Sequence, residues 1–381
     1  MLYGEYKRGP IIMKFTITKE IMYPMLQHAI SFIATKNFNM ILQNVLIEAA
    51  NNQISLKTTS FQTGFNCTLS ANVIEHGVTT VPAKTLCDIV KAIPDGRDID
   101  FVFTGSTLHV KSGRSNYQLS TMDASLFPDS PKITPEYSFN IDGYLFISQL
   151  KKVAFCISSD TLKIEYNGAY MNIIADRIEL SSTDLQRIAT TSAVFENKIS
   201  DEFIVNIPKK TVLDVIKIFE NSKNICIATD KRQISFSTEN ITITSKLIER
   251  YIKSLTRLFQ TEYNLKALIN REELAGVVRR IAPITSEITH GLLFSFQNSL
   301  LTISSLETEY AKGTETMDGI EFNGEAIDIV FNAKHLLEIL SNIDSPEITF
   351  AMNSKTQPAL ILPDNGSAKY LLVPISIEKI T

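Results

Sequence analysis

The sequence predicts an α+β protein made of three copies of one unit. Each copy is a β-α-β-β-β motif written twice, with helices on one face of antiparallel sheets. Three observations carry this: a ten-residue pattern recurs at nearly equal intervals, short alternating strands follow every copy, and proline-rich or polar stretches separate the copies.

The recurring pattern runs Val81-Pro82-Ala83-Lys84-Thr85-Leu86-Cys87-Asp88-Ile89-Val90. It returns as Ile207-Pro208-Lys209-Lys210-Thr211-Val212-Leu213-Asp214-Val215-Ile216, and again as Phe331-Asn332-Ala333-Lys334-His335-Leu336-Leu337-Glu338-Ile339-Leu340. All three share an apolar opener, a Lys at the fourth place and an acid at the eighth, and their starts lie 126 and 124 residues apart. Apolar residues at helical spacing make each an amphipathic helix. In the first two copies a proline falls near the helix start, where its missing N–H costs nothing.

Each copy is followed by three short strands: Ile99–Phe103, Thr107–Lys111 and Asn116–Thr121, then Ile225–Ala228, Gln233–Ser237 and Ile241–Lys246, then Glu347–Ala351, Ala359–Leu362 and Tyr370–Ile375. Period-two alternation between Gly, Asn and Asp punctuation is a hairpin signature. The first half of each unit is expected to open on a strand (Lys14–Thr18, Tyr137–Ile141, Tyr263–Leu268) leading into a helix (Lys19–Ile33, Phe146–Phe155, Arg271–Ile281). Linkers are expected at 123–136, which holds Pro128, Pro131 and Pro135, and at 248–262. The expected domains are an N-terminal extension at 1–12 and repeats at 13–136, 137–261 and 262–381.

A chain of 381 residues suits two or three cores. No apolar run approaches the roughly 18 residues that span a bilayer, and a cytoplasmic location with no membrane contact is expected. Cys67, Cys87, Cys156 and Cys226 form no CxxC pair and have no His at ligand spacing, so free thiols are expected and no metal or cofactor. The net charge of −4 argues against a protein that coats nucleic acid by bulk attraction. It is unevenly spread. With the first two copies of the pattern run one residue further, to Lys91 and Lys217, the six predicted helices hold twelve Lys and Arg against six Asp and Glu, which leaves −10 on the rest of the chain. A basic helical layer on an acidic body suits a surface that faces phosphate without gripping it.

The residues in order closely resemble the bacterial DNA sliding clamp, the beta subunit of the replicative DNA polymerase, from Met13 to about Ile377. The resemblance rests on Met13-Lys14-Phe15-Thr16-Ile17, Val81-Pro82-Ala83-Lys84 with Pro94-Asp95-Gly96, and Ser112-Gly113-Arg114-Ser115 with Phe127-Pro128. Further along it rests on Tyr166-Asn167-Gly168, Thr183-Asp184 with Arg187-Ile188-Ala189, Thr244-Ser245-Lys246-Leu247 and Tyr370-Leu371-Leu372-Val373-Pro374-Ile375. It implies the DNA-clamp fold: two chains head to tail in a six-domain ring around duplex DNA, without sequence preference. The implied partners are the replicative polymerase, a clamp loader and repair proteins.

Carried over by position, Tyr117 and Leu119 would meet Pro283 and Ile284 of a second copy, and Lys36 would contact DNA, with Asp160 at a usual polar contact. The basic helical residues Lys84, Lys91, Lys151, Lys152, Lys209, Lys210, Lys217, Arg279 and Arg280 would face DNA. A partner-peptide pocket would comprise Tyr166, Thr183, Leu185, Gln186, Arg187, Ile188, Arg257, Leu258, Leu371, Leu372, Val373, Pro374 and Ile375. Arg187 and Arg257 are expected as rim anchors, and Leu185, Ile188, Leu372 and Val373 as walls. Leu185-Gln186 replaces the family's small residue and His, Lys253 and Leu255 replace its Pro and Tyr, and Glu378-Lys379-Ile380-Thr381 runs past its usual end. The pocket is therefore expected to be altered in shape.

Two other classes compete. An enzyme finds no support in motifs: there is no GxxxxGK[ST], GxGxxG after a strand, GxSxG or HExxH, and His28, His76, His109, His290 and His335 never pair at catalytic spacing. No catalytic residue is expected. A repeat scaffold that binds only proteins fits the repeat but leaves the basic helices unexplained.

Overall fold

The computed structural model describes residues 12–34, 39–129, 133–194, 202–250, 252, 255–306, 311–366 and 368–376. The first repeat holds β1 (Met13–Thr18), α1 (Lys19–Ala29), β2 (Asn44–Ala50), β3 (Gln53–Thr59), β4 (Thr63–Ser70), β5 (Asn72–Glu75), β6 (Gly77–Pro82), α2 (Ala83–Ala92), β7 (Asp98–Phe103), β8 (Thr107–Ser112) and β9 (Ser115–Ser120). The second holds β10 (Tyr137–Asp142), α3 (Gly143–Ala154), β11 (Gly168–Ile174), β12 (Arg177–Thr183), β13 (Arg187–Val194), β14 (Phe203–Pro208), α4 (Lys209–Phe219), β15 (Asn224–Thr229), β16 (Gln233–Ser237) and β17 (Ile241–Lys246). The third holds β18 (Leu265–Asn270), α5 (Arg271–Ile281), β19 (Gly291–Gln297), β20 (Leu300–Ser305), β21 (Thr314–Asp318), β22 (Glu321–Asn323), β23 (Ile327–Asn332), α6 (Ala333–Ser341), β24 (Glu347–Met352), β25 (Ala359–Pro363) and β26 (Lys369–Leu372).

Local chemistry explains these elements. In β1 the buried residues Met13, Phe15 and Ile17 alternate with half-exposed ones, the period of a strand with one covered face. In α2 the buried Ala83, Leu86, Cys87 and Val90 fall on one helical stripe. The Asn270 and Asn332 side chains cap α5 and α6 by accepting from the N–H groups of Glu273 and His335. Glu272 and Glu273 open α5 and Arg279 and Arg280 close it, each matched to the helix dipole.

Several boundaries differ from expectation, among them the end of β26, which stops at Leu372 rather than Ile375. α1 stops at Ala29 and continues as a 3-10 turn, Ile30–Phe32, whose tighter path brings Phe32 onto Phe65 with ring centroids 5.4 Å apart. α3 starts at Gly143 rather than Phe146. A Cβ there would lie 2.1 Å from the Ser222 carbonyl oxygen, so only glycine allows the approach. β18 begins two residues late, and the expected 248–262 linker contains a 3-10 turn, Thr256–Gln260.

The chain forms two compact units, one from the residues up to Gly143 with Lys217–Leu247, the other from Tyr144–Ile216 with Ile248 onward. The first contains a five-stranded sheet, β5-β1-β7-β8-β9, and an eight-stranded sheet, β10-β15-β16-β17-β4-β3-β2-β6. Here α1 packs on α2 and on β3 and β4. The second contains a nine-stranded sheet, β14-β11-β12-β13-β26-β25-β24-β18-β22, and a four-stranded sheet, β21-β20-β19-β23, with α5 packed on α6. The middle repeat is thus shared out: β10 and β15–β17 join strands of the first repeat, and β11–β14 join strands of the third.

Two antiparallel pairings make these joins. Ile243 of β17 lies opposite Phe65 of β4, and Leu371 of β26 lies opposite Ile188 of β13. Ile243 is fully buried and also faces Phe236 of β16. Ile243→Ala is therefore expected to lower the unfolding free energy by about 2–5 kcal/mol through the cavity it leaves, measured by urea denaturation. A loss below about 1 kcal/mol would show that this join contributes little to the core.

Candidate functional site

The residues expected to form the partner pocket come from four chain segments, Tyr166, 183–188, 257–258 and 371–375, and in the second unit the β13–β26 join brings the second and fourth together. Arg187 lies opposite Leu372, and the Val373 N–H donates to the Gln186 carbonyl at 2.9 Å. Ile188, Leu255 and Leu371 belong to one buried cluster with Tyr170, Ala351 and Leu360, against which Phe259 also packs. Tyr166 closes a 3-10 turn, Ile164–Tyr166, that is tied down by the Tyr170 hydroxyl donating to the Glu165 carbonyl.

At the centre is the turn from β12 to β13. The Thr183 hydroxyl accepts from Leu185 N–H at 2.9 Å and donates to the Arg187 carbonyl at 2.8 Å. One Asp184 carboxylate oxygen accepts from the N–H groups of Gln186 and Arg187 at 3.0 and 2.9 Å. These bonds hold Leu185 in the left-handed region, φ 73°, with its side chain 45% exposed. A bulky residue there is strained by about 1–2 kcal/mol.

Two expectations are corrected by burial. Arg187 is not a rim anchor. Its side chain is almost enclosed, with Nε 3.0 Å from Asp184 Oδ2 and Nη1 2.5 Å from Glu338 Oε2. Nη2 donates to the Phe155 carbonyl, and the guanidinium lies over the Phe155 ring, 5.2 Å from its centroid. Each of its three nitrogens has a protein partner, so the residue clamps the turn to α6. Leu372 and Ile188, expected as cavity walls, are buried core residues at 1% and 9% exposure on opposite faces of the join, Leu372 opposite Arg187 and Ile188 opposite Leu371. The exposed apolar surface comes instead from Leu185 and Leu258, with Val373, Pro374 and Ile375 half-buried beside the turn's backbone partner. Arg257 lines a separate cavity of about 340 Å³ with Asn172, Glu179 and Glu202.

Sequence reasoning missed Glu338 as Arg187's partner. The signal was available as the acid at the eighth place of the repeated pattern. Its counterpart Asp214 pairs with Lys210 at 2.6 Å. His335, next to Arg187, has its pKa lowered by burial, with the Arg187 charge acting in the same direction. Burial pushes the Cys67 thiol up to about 12 and raises that of Cys156, which leaves both unreactive.

The basic helical residues divide into two sets. Lys210 pairs with Asp214, Arg280 makes a forked pair with Glu315 of β21, and Lys209 Nζ donates to the Ile157 carbonyl and Ser159 hydroxyl, each at 2.8 Å. The expectation that all would face DNA as open charges is corrected for these three. Lys84, Lys91, Lys152, Lys217 and Arg279 make no ion pair among the described residues, and Lys151 is exposed. Lys36, Lys253 and Glu378–Thr381 lie outside the described residues. Asp160 Oδ1 accepts from Leu162 N–H at 2.9 Å.

Of the residues expected between copies, Tyr117 is half-exposed on β9, but Leu119 is 7% exposed and points into its own sheet's core. Pro283 is exposed, and Ile284 packs over Gly313 at the start of β21. Among the described residues no group of His, Cys, Asp or Glu could hold a metal ion, and no helix is long and apolar enough to cross a membrane.

Comparison with known proteins agrees with this construction. Sequence models of the DNA polymerase III beta subunit match the chain in succession: the N-terminal domain over residues 13–131, the central domain over 140–251 and the C-terminal domain over 256–376. The beta sliding clamp of Rickettsia bellii is 27% identical over 381 residues, covering 96% of this chain and 100% of that protein. That of Pseudomonas aeruginosa is 26% identical over 368 residues, with coverages of 96% and 100%. A crystal structure of the Pseudomonas aeruginosa sliding clamp bound to griselimycin superposes with a TM-score of 0.91 at 25% identity, covering 96% of this chain and 99% of that one.

If Arg187 is a clamp rather than an anchor, Arg187→Ala should lower stability by roughly 3 kcal/mol by stranding Asp184 beside a buried turn; the exposed side of Glu338 limits the loss. Leu372→Ala should cost about 2–5 kcal/mol. Thermal melting reads both, and an unchanged melt for Arg187→Ala would return that residue to the rim.

Proposed function

We propose, from the premise that the chain belongs to the DNA polymerase III beta subunit family, that it is a DNA polymerase processivity factor: a ring that encircles duplex DNA and tethers the polymerase and repair proteins. It acts by topology and performs no reaction. The observation that carries the reading is the order of strand pairings. The last strand of the second repeat, β17, pairs with the third long strand of the first, β4. The last strand of the third repeat, β26, pairs with the corresponding strand of the second, β13. Continuing the series, the last strand of the first repeat, β9, calls for the corresponding strand of the third, β21. Within one chain these two are the outer strands of separate sheets, each with an edge unpaired among the described residues. A second copy satisfies both edges at once, and two such joins close a head-to-tail dimer. Tyr117, Leu119, Pro283 and Ile284 lie on or beside these edges.

In this ring the helices face the duplex, with Lys84, Lys91, Lys151, Lys152, Lys217 and Arg279 as the main contacts to phosphate and Lys209, Lys210 and Arg280 partly neutralised. Partner peptides dock on the surface made by Tyr166, Leu185, Gln186, Leu258 and Val373–Ile375. A scaffold that binds proteins without encircling DNA is the alternative, and the open cations on the helices count against it.

Light scattering at micromolar concentration should show a dimer, and Tyr117→Glu, which places a charge on the β9 edge, should give monomers that melt normally. A monomeric wild-type protein would falsify the ring. Once loaded by a clamp loader, the protein should stay on circular DNA and slip off linear DNA. Replacing Lys84, Lys91, Lys217 and Arg279 by Gln should reduce the salt dependence of retention, by about 0.9 in slope for each phosphate no longer neutralised. Tight, sequence-selective binding to linear duplex would contradict this.

A further inference from the structure

The turn that carries Leu185 occurs again in the first unit, one repeat earlier, at Thr59–Thr63. There the Thr59 hydroxyl accepts from Phe61 N–H and donates to the Thr63 carbonyl, both at 3.2 Å, and Ser60 Oγ accepts from Thr63 N–H as Asp184 does from Arg187. Phe61 takes the place of Leu185, in the left-handed region at φ 66° and 45% exposed. The following Gln62 carbonyl accepts from Lys246 N–H at 2.8 Å, as Gln186 accepts from Val373. Thr63 lies opposite Ser245, as Arg187 lies opposite Leu372. The correspondence covers the turn, its strained apolar residue and the neighbouring strand end. The two starts are 124 residues apart, the interval of the repeat itself.

A phenylalanine is a poor choice for a left-handed, solvent-facing position, where Gly or Asn costs least. Strain kept at an exposed aromatic points to a use for that side chain. The surroundings give the charge of what it meets. A third copy of the turn, Thr229–Gln233, borders the same strand end: Leu247 N–H donates to the Arg232 carbonyl at 2.9 Å. Arg232 and Lys246 are exposed and make no ion pair among the described residues, whereas Lys231 is paired with Glu136.

We propose that Phe61, with Arg232 and Lys246, forms a second docking surface for an extended acidic peptide carrying apolar residues, equivalent by internal symmetry to the surface around Leu185. The class of ligand rests on the peptide reading of that surface; the location does not. The left-handed aromatic packs on an apolar side chain of the peptide while the two cations meet its acids. One chain then holds two partner segments, at successive repeat junctions.

The test uses the full chain and a fluorescent synthetic peptide with adjacent Leu and Phe between glutamates. Wild type should bind two peptides per chain. Phe61→Asn, which keeps a residue tolerant of the left-handed region, should weaken one site at least tenfold and leave the melting temperature within a degree or so, as an exposed substitution does. The Arg232→Glu, Lys246→Glu double variant should do the same and decides the matter if Phe61→Asn does not fold. Leu185→Asn should weaken the other site, and a peptide with lysines in place of glutamates should not bind at Phe61. One peptide per chain, lost in Leu185→Asn and untouched by Phe61→Asn and by the double variant, overturns this inference and leaves the Leu185 surface standing. Loss only in Phe61→Asn keeps the inference and overturns the Leu185 reading. No binding to wild type at millimolar peptide overturns both.

Discussion

The unpaired sheet edge is the constraint from which the rest of this structure follows. A strand end with open N–H and C=O groups must find water, a cover or another strand. Each repeat has one last strand and one third strand in need of partners. The chain solves this by passing the last strand of one repeat to the third strand of the repeat before it, β17 to β4 and β26 to β13. The compact units therefore cut across the sequence repeats, and the middle repeat contributes to both. The same rule leaves β9 and β21 over, one at each end of the series, which makes association a consequence of the strand count rather than an added feature.

The joins also explain where protein partners can be held. A turn beside a join is fixed twice, by its own Thr hydroxyl and by a backbone bond to the neighbouring strand end. A partner docking on such a turn has no backbone to order there, which removes one entropic cost of binding. Arg187 adds a third restraint at one junction by linking the turn to α6 through Glu338, and Thr63 stands in its place at the other. The Leu185 turn is thus held by charge and the Phe61 turn by neutral hydrogen bonds.

Much of the fold was legible in the sequence, because a repeated Lys, a repeated acid and apolar residues at helical spacing survive in all three copies. The strand exchange between repeats was not legible, since pairing partners are set by which edges remain open and not by the alternation within a strand. The site was half legible. The segments around 185, 258 and 373 do converge, but the role of Arg187 depends on an acid 151 positions further on, and a lone Arg in a sequence does not announce whether its fork faces water or carboxylates. The turns were harder still. Left-handed positions are usually flagged by Gly or Asn, and Phe61 and Leu185 carry no such flag.

The helix charges show why counting residues overstated the basic layer. Arg280 and Lys210 count as cations in sequence, yet each sits within ion-pair distance of a carboxylate, and Lys209 spends its donors on a carbonyl and a hydroxyl. What remains is a sparse set: Lys84 and Lys91 on α2, Lys217 on α4 and Arg279 on α5 are exposed and make no ion pair among the described residues. Long lysine stems with no fixed partner reach phosphate through loose, exchangeable contacts, and each such contact is weak and screened by salt. A dense or pre-organised set of arginines would instead favour one register on the duplex. A closed ring needs no tight grip, because closure prevents escape. Its contacts need only be weak enough to let the duplex slide, and a thinned basic layer meets that condition better than the full count would.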